Sequence, residues 1–315
     1  MEVKPRRWKI LLAFAIIYFV WGSTFLAIRV GVLLVPPFLF AGMRFSTAGL
    51  ALYLWMRVRG TPSPTRREWA SVTLLAVLIF VLDYGLVFWA EQRVPSGIAA
   101  VMLATIPVFM ALAEIVLLRT QKLTLRLAFA LLIGMGGVAV LVSRSVGFGD
   151  RPIETSGAIA LVVAAIGWSL ASALTRKLVL PESKVMSSGA QMLAGGILLS
   201  VTAAVLGEFR GFNVQAIPAR AWFALVYLII AGSIIAFTAY VWLIHHESPT
   251  RVGTYAYVNP VVAVAIGYFL GGEALGTRTL VGTLLVLVSV VVITTTPKKR
   301  LASDSFLQDP ETVEP

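Results

Sequence analysis

The chain has 315 residues, of which 58% are hydrophobic and only 13% are charged. Because soluble domains have about 45–50% apolar residues, this composition excludes an ordinary water-soluble protein. The absence of cysteine excludes disulfides and thiolate metal sites, and two adjacent histidines are too few for a zinc site. The net charge of +11 comes from basic residues that lie singly between apolar runs, so nucleic acid is not an expected partner.

Ten apolar segments are each long enough to cross about 30 Å of hydrocarbon as a helix, so the lipid bilayer is the expected environment. They cover residues 10–31, 38–56, 69–91, 95–118, 125–143, 157–177, 185–206, 220–243, 249–271 and 278–296. The first follows a basic N-terminus, residues 1–9, and is too long for a cleaved signal, so we interpret it as an uncleaved helix. Residues 297–315 predict a disordered cytoplasmic tail.

Lysine and arginine provide a separate test of the helix count. With a cytoplasmic N-terminus, the inner segments contain 18 of these residues and the outer loops contain 6, while Arg29 and Arg44 lie within helices. An error in the number of helices would disturb this alternation further along the chain. The distribution therefore predicts ten transmembrane helices with both termini in the cytoplasm.

An internal repeat relates the two halves of the chain. Trp21 and Trp168 each precede an arginine by eight residues, and Pro107 of the fourth helix matches Pro260 of the ninth at an offset of 153. Self-similarity at one long offset indicates a duplicated unit.

The predicted fold is therefore an all-α integral membrane protein with two five-helix repeats, residues 10–143 and 157–296. Because each repeat has an odd number of helices, the second must enter the membrane inverted relative to the first.

Several short motifs in both halves resemble the EamA branch of the drug/metabolite transporter superfamily, nearest its YedA-like bacterial inner-membrane members. They are Trp21-Gly22-Ser23-Thr24-Phe25, Arg44-Phe45, Val94-Pro95-Ser96-Gly97, Tyr255-Ala256-Tyr257-Val258-Asn259-Pro260 and Gly271-Gly272-Glu273. The resemblance implies an inner-membrane carrier of small organic solutes, often an exporter of amino acids, with a central cavity between the halves. Glu273 has no carboxylate counterpart in the first half, which favours a structural role for it.

Two matched prolines are candidate helix breaks. Pro107 and Pro260 fall near the middle of their predicted helices, where each removes a backbone donor and frees the carbonyl four residues earlier. In hydrocarbon a freed carbonyl needs a partner or a wet cavity. Broken helices at equivalent places predict a substrate site and a bend for gating. The alternative is that both prolines only kink their helices for packing.

Polar and aromatic side chains near these prolines and on the first and sixth helices are candidate cavity residues. They are Tyr18, Trp21, Thr105, Trp168, Tyr255, Tyr257 and Asn259. An aromatic lining with a few hydrogen-bonding groups is typical of sites for amphipathic solutes. The alternative is that these residues only pack between helices.

Arg44 and Asp83 are charges within predicted helices, where an unpaired charge is costly. Their distances from the outer helix ends differ by only about 3 Å along the axis, which predicts an ion pair between them. The pair has a structural interpretation, and Asp83 has an alternative one as a carboxylate that couples transport to protons.

The pattern predicts a secondary carrier that exports a small-molecule solute by moving one repeat against the other. The sequence contains no P-loop and no hydrolase or protease motif, so neither ATP drive nor an enzyme is expected, and no cofactor or metal is expected either. An organic-phosphate or nucleotide-sugar exchanger, a lipid flippase, and a membrane scaffold or receptor without transport remain alternatives. The sequence leaves the solute, the coupling ion, the direction of flux and the oligomeric state open.

Overall fold

The computed structural model describes residues 7–116, 123–142, 154–175, 177–246 and 255–295. Over these ranges the chain is helical and contains no strand, which confirms the all-α prediction. We number its helical segments α1 to α10. They are α1 Arg7–Val32, α2 Pro37–Val58, α3 Arg66–Ala90, α4 in two pieces Ser96–Leu103 and Ile106–Val116, α5 Leu125–Val142, α6 Thr155–Thr175, α7 Lys184–Val205, α8 in three pieces Ala219–Tyr227, Leu228–Ile235 and Ala236–His246, α9 Tyr255–Gly271 and α10 Thr277–Thr295.

The helices have the length and surface expected in a bilayer. Within the described part of the chain, α1, α2, α3, α6, α7 and residues Ala219–Tyr240 of α8 are long and apolar enough to cross a membrane, and α4, α5, α9 and α10 contain shorter apolar helices. Large apolar side chains are exposed on several of them, including Phe129 and Phe223 with 62% and 76% of their surface accessible. Such surfaces are stable in hydrocarbon and not in water.

Helices α2 and α7, which are equivalent in the repeat, pack against each other in opposite directions. Gly42 of α2 faces Ser200 near the end of α7, whereas Gly49 faces Leu193 earlier in α7. In the other direction, Gly196 of α7 faces Ser46. Small residues allow these backbones to approach closely, as is common between membrane helices.

Helices α5 and α10 form a second antiparallel pair of equivalents. Gly134 faces Ser289, and the later Gly137 faces the earlier Val286. The remaining contacts follow the same symmetry, because α1 packs on α8 and α9 just as α6 packs on α3 and α4. The two equivalent pairs that touch, α2 with α7 and α5 with α10, thus run in opposite directions, as an inverted duplication requires.

Both halves also contain a π-helical segment at the same place. Val77–Gly85 interrupts α3, and Leu228–Ile235 interrupts its equivalent α8. A π-helical segment shifts the register of backbone hydrogen bonds and rotates the side chains that follow it. The sequence-based prediction contained no such segment.

Helix α4 is broken rather than continuous. Its first piece ends at Leu103, and the backbone carbonyl of Thr105 accepts the amides of Val108 and Phe109 at 2.8 and 3.2 Å. Pro107 consequently lies in the first turn of a new helix, where its missing N–H is not needed. The predicted segment 95–118 is thus two helical pieces with Pro107 in the first turn of the second, whereas Pro260 lies inside the continuous helix α9.

Candidate functional site

The candidate site begins at Gly232, in the π-helical segment of α8. The last π-type bond of this segment joins the Ala236 amide to the Ala231 carbonyl, and ordinary α-helix follows. The change from π-type to α-type hydrogen bonding leaves the carbonyl of Gly232 without a partner within the helix. The indole Nε1 of Trp21 in α1 donates to this carbonyl at 3.1 Å. The site therefore joins the first half of the chain to the second.

Three aromatic side chains surround this contact, and we call them the aromatic group: Trp21, Tyr240 and Tyr255. The Trp21 ring centroid lies 5.2 Å from that of Tyr240 and 5.2 Å from that of Tyr255, and the two tyrosine rings are 6.0 Å apart. Sequence reasoning had singled out Trp21 and Tyr255 but not Tyr240. The two contacts of the Tyr255 ring are edge-to-face and that between Trp21 and Tyr240 is tilted, and such contacts hold aromatic rings in fixed orientations.

Arg44 in α2 also lies beside Gly232. Its side chain is buried, and its Nε donates to the Ser233 hydroxyl at 3.1 Å. The guanidinium carbon lies 4.6 Å from the ring centroid of Phe45, 5.6 Å from that of Tyr84 and 5.9 Å from that of Phe88. Within the described ranges, its Nη1 is buried and has no hydrogen-bond partner. The site thus contains a cation with an unused donor among aromatic rings.

The expected ion pair between Arg44 and Asp83 is not formed, since the described residues contain no contact within 4.0 Å between the two side chains. Asp83 is buried, and its Oδ1 has no partner among those residues. Arg44 and Asp83 were predicted to lie at similar depths in the membrane. Depth does not determine the direction in which a side chain points around its helix axis. Residue 83 lies in the π-helical segment Val77–Gly85, which turns Tyr84 rather than Asp83 towards Arg44.

Other predicted cavity residues occupy different places around this centre. The Trp168 ring meets the Tyr84 ring edge-on at 6.1 Å, so it approaches the site from α6. The Thr105 hydroxyl donates to the Met102 carbonyl at 2.5 Å and is used within α4. Asn259 is buried, and in the described part of the chain its Oδ1 has no partner. Tyr18 packs beside the apolar cluster of α1 and α8 that contains Ile17.

Some predictions fall outside the described residues. These are the side chains of Tyr257 and Pro107, the first six residues of the N-terminus, and the tail 297–315.

A polar cluster that sequence reasoning missed lies at the end of the molecule where α1 ends and α4 begins. The Arg29 Nη1 donates to the backbone carbonyls of Glu91 and Val94 at 2.7 and 2.6 Å. Its Nε lies 3.7 Å from the Glu273 carboxylate, which accepts from the Ser96 amide and hydroxyl, both at 2.7 Å. Glu273 therefore caps the N-terminus of α4 and ties the second half to the first.

Glu91 is the unusual member of this region. Its side chain is fully buried, and over the described ranges neither carboxylate oxygen has a hydrogen-bond partner. The sequence did not single it out, because it is the last residue of the predicted segment 69–91 and belongs to none of the matched motifs. The available signal was its spacing, because Tyr84, Phe88 and Glu91 follow each other by four and three residues and so share one face of α3.

Comparison with known proteins agrees with the duplicated fold. The model of the EamA-like transporter family matches residues 7–143 and again 155–295. The chain is 36% identical over 281 residues to the "uncharacterized inner membrane transporter YedA" of Escherichia coli, with 88% of each chain covered. It is 24% identical to the "uncharacterized transporter YvbV" of Bacillus subtilis, with 96% of each covered. A solved crystal structure superposes with a TM-score of 0.61 at 23% identity, covering 91% of this chain and 96% of that one, which shows a shared fold.

Proposed function

Because the chain belongs to the EamA-like transporter family, we propose that it is a secondary exporter of small amphipathic metabolites, amino acids among them, in the bacterial inner membrane. Its helices span that membrane several times, and the proposed topology has ten crossings with both termini in the cytoplasm. Transport would proceed by alternating access, in which the two inverted repeats move about a central site.

The observation that carries this proposal is the meeting of both repeats at Gly232. Trp21 and Arg44 of the first repeat contact consecutive residues, Gly232 and Ser233, of the second. Side chains that belong to different repeats change their relative positions when one repeat moves against the other. A solute held between them would therefore be exposed alternately to the two sides of the membrane.

Two alternatives for the cargo are less well supported. An organic phosphate or nucleotide sugar needs several cations around its phosphate groups, and Arg44 is the single cation that the described residues place over the rings of Tyr84 and Phe88. A lipid-linked cargo needs a lateral opening to the bilayer. A scaffold without transport would not need a buried, partly unpaired guanidinium where the repeats meet.

A comparison of cells that overproduce the protein with cells that lack it tests the proposal. We expect one or more small metabolites to accumulate in the medium of the overproducing cells. Purified protein in liposomes should then move the same metabolites without ATP. Absence of flux for every metabolite in both assays, together with stable capture of a protein partner, would favour the scaffold instead.

Asp83→Asn tests proton coupling through this buried carboxylate. If Asp83 exchanges protons during transport, the variant should lose the dependence of flux on a pH gradient while it still folds, because an amide cannot carry a proton through the cycle. The measurement is flux in liposomes with and without an imposed gradient. An unchanged rate with an unchanged pH dependence assigns Asp83 a structural role.

A further inference from the structure

We propose that Glu208 and Glu273 form a two-point latch between the repeats, which holds one end of the molecule closed and opens as a unit. This is the end where α1 ends and α4 begins, and it is the outer end in the proposed topology. Each carboxylate belongs to the second repeat and caps a helix of the first, Glu208 on α2 and Glu273 on α4. The inference rests on the proposed transport function and deepens it by naming residues that position the repeats.

Glu208 lies just after the end of α7 and reaches the start of α2. Its Oε2 accepts the amide of Leu39 at 2.8 Å, and its Oε1 accepts the amide of Phe38 at 3.4 Å. The N-cap position of α2 is occupied by Pro36, which makes no side-chain hydrogen bond to the helix. Because the first amides of a helix have no partner within it, the start of α2 depends on a carboxylate from the other repeat.

Glu273 caps α4 in the same way. The N-cap position of α4 is Pro95, again without a side-chain hydrogen bond to the helix. The Oε2 of Glu273 accepts the amide of Gly97 at 3.0 Å, while its Oε1 accepts from Ser96 as described above. Two helices of the first repeat thus begin at this end after a proline and take their cap from the second repeat.

The two carboxylates are held by the same local structure. Each follows a glycine with positive φ at the end of a helix of the second repeat, Gly207 with 75° after α7 and Gly272 with 63° after α9. The next amide bonds back to a carbonyl of that helix, at 2.8 Å for Glu208 and at 3.0 Å for Glu273. Such left-handed helix ends favour glycine, because a Cβ atom would be strained there. Each carboxylate is therefore positioned by the end of its own helix.

The equivalent contact between α2 and α7 is different at the opposite end of the molecule. At the offset that relates the tryptophans of α1 and α6, Thr61 corresponds to Glu208, and Ser183 corresponds to Pro36. The Ser183 hydroxyl accepts the Met186 amide at 3.3 Å, so α7 is capped by its own chain segment. A cap from the same segment is kept when the repeats separate, whereas a cap from the other repeat is lost. Helix capping therefore stabilises closure of the outer end in particular.

The starts of α2 and α4 are connected to each other. Helix α2 begins just after α1 ends, and α4 begins just after α3 ends. The Gln92 side chain, between α3 and α4, donates to the Val32 carbonyl at the end of α1 at 2.8 Å. Because the two connections are joined in this way, we expect them to move together, so that the two caps break in one step.

Amide hydrogen exchange of the full-length protein in liposomes, measured by mass spectrometry, tests the latch. In each carboxylate the two oxygens bond different groups, so a glutamine keeps only part of the cap. We expect Glu208→Gln to speed exchange at the start of α2 about five- to tenfold, which corresponds to the usual loss of a helix cap. Exchange at the start of α4 should rise by a similar factor, because one opening exposes both helix starts. A rise confined to the start of α2 would overturn the inference.

Glu273→Gln provides the reciprocal test, since it should speed exchange at the start of α2 as well as at that of α4. Glu68→Gln is the matched control, because Glu68 caps α3 together with Thr65 of the same chain segment. It should change exchange at the start of α3 alone. If it speeds exchange at α2 and α4 as much as Glu208→Gln does, the effect does not come from contacts between the repeats and the latch is wrong.

Thermal unfolding of each purified variant shows whether it folds. Glu208→Asp replaces a glutamine variant that does not fold. Its shorter side chain keeps the charge but reaches less far towards α2, and we expect the same joint rise of exchange at both helix starts. A rise at neither start, in a variant that folds, would also overturn the inference.

The latch and the proposed function can fail separately. If the two helix starts exchange independently while the protein still exports a metabolite, the transport function stands and the latch is wrong. If they open together but the protein moves no solute, the latch stands as a contact between the repeats and the transport function is wrong.

Discussion

At the scale of single residues, the site depends on polar groups whose partners come from distant parts of the chain. Trp21 donates to a carbonyl 211 residues away, and Arg44 to a hydroxyl 189 residues away. Each bond joins a helix of the first repeat to α8 of the second. Both donors lie beside packed aromatic rings. The loss of one hydrogen bond should therefore change how the side chains of the site are oriented, while the rings themselves stay in place.

Trp21→Phe should lower the rate of transport about fivefold without preventing folding. The change removes the indole N–H, whose bond to the Gly232 carbonyl contributes about 1 kcal/mol, but keeps an aromatic ring in place. The rate of solute flux in liposomes is the measurement. Trp55→Phe is the control, since that indole is 44% exposed on the outer surface of α2. Equal flux in both variants and the wild type would show that the bond has no part in transport.

At the scale of helices, the contact between α2 and α7 depends on the absence of side chains. A Cβ atom at Gly49 would lie 2.2 Å from the Leu193 amide nitrogen, and one at Gly196 would lie 2.2 Å from the Ser46 amide nitrogen. These neighbours are backbone atoms, so they cannot move aside by a change of rotamer. The two glycines therefore set the separation between the equivalent helices of the two repeats.

Gly49→Val should destabilise the protein by about 3 kcal/mol or more, because the added side chain forces α2 and α7 apart. Gly136→Val is the matched control. Gly136 is also helical, but a Cβ there meets nothing within 4 Å, so the control measures only the change in helix propensity. Thermal unfolding of the purified proteins in detergent compares them. Equal melting temperatures for the two variants would mean that the helices can separate freely.

At the scale of the whole molecule, the antiparallel packing of α2 with α7 and of α5 with α10 makes the two repeats inverted copies. Because the copies are inverted, the two ends of the molecule are formed by equivalent helices. These helices can pack differently at the two ends. In the described conformation, Arg29 and Glu273 tie the repeats together at one end of the molecule. If the proposed alternating-access cycle opens this end, those contacts must break.

Single-cysteine labelling should establish the orientation of the chain, and the natural sequence has no cysteine that would interfere. Pro62→Cys lies between α2 and α3, and Gln215→Cys lies between α7 and α8; both positions are exposed. With the N-terminus in the cytoplasm, a thiol reagent that cannot cross the membrane should label Gln215→Cys in intact cells and Pro62→Cys only after permeabilisation. The opposite pattern would reverse the proposed topology.

The sequence by itself determined the elements of this protein and their duplication. Apolar length predicted the helices, because hydrocarbon requires each backbone polar group to bond within its own segment. The tryptophan and proline matches predicted the repeat, and residue type alone singled out Trp21, Tyr255 and Arg44, which the structure brings to the candidate site. These features depend on residue type and spacing along the chain, which the sequence contains directly.

Only the tertiary structure decided which side chains face each other. The π-helical segments rotate residues by amounts that periodicity does not reveal, so Arg44 meets Tyr84 and Ser233 instead of Asp83. Glu91 is fully buried although it ends a predicted helix, and burial of a residue at that position cannot be read from the sequence. Depth along one helix axis is local information, whereas rotation and burial depend on every neighbouring helix.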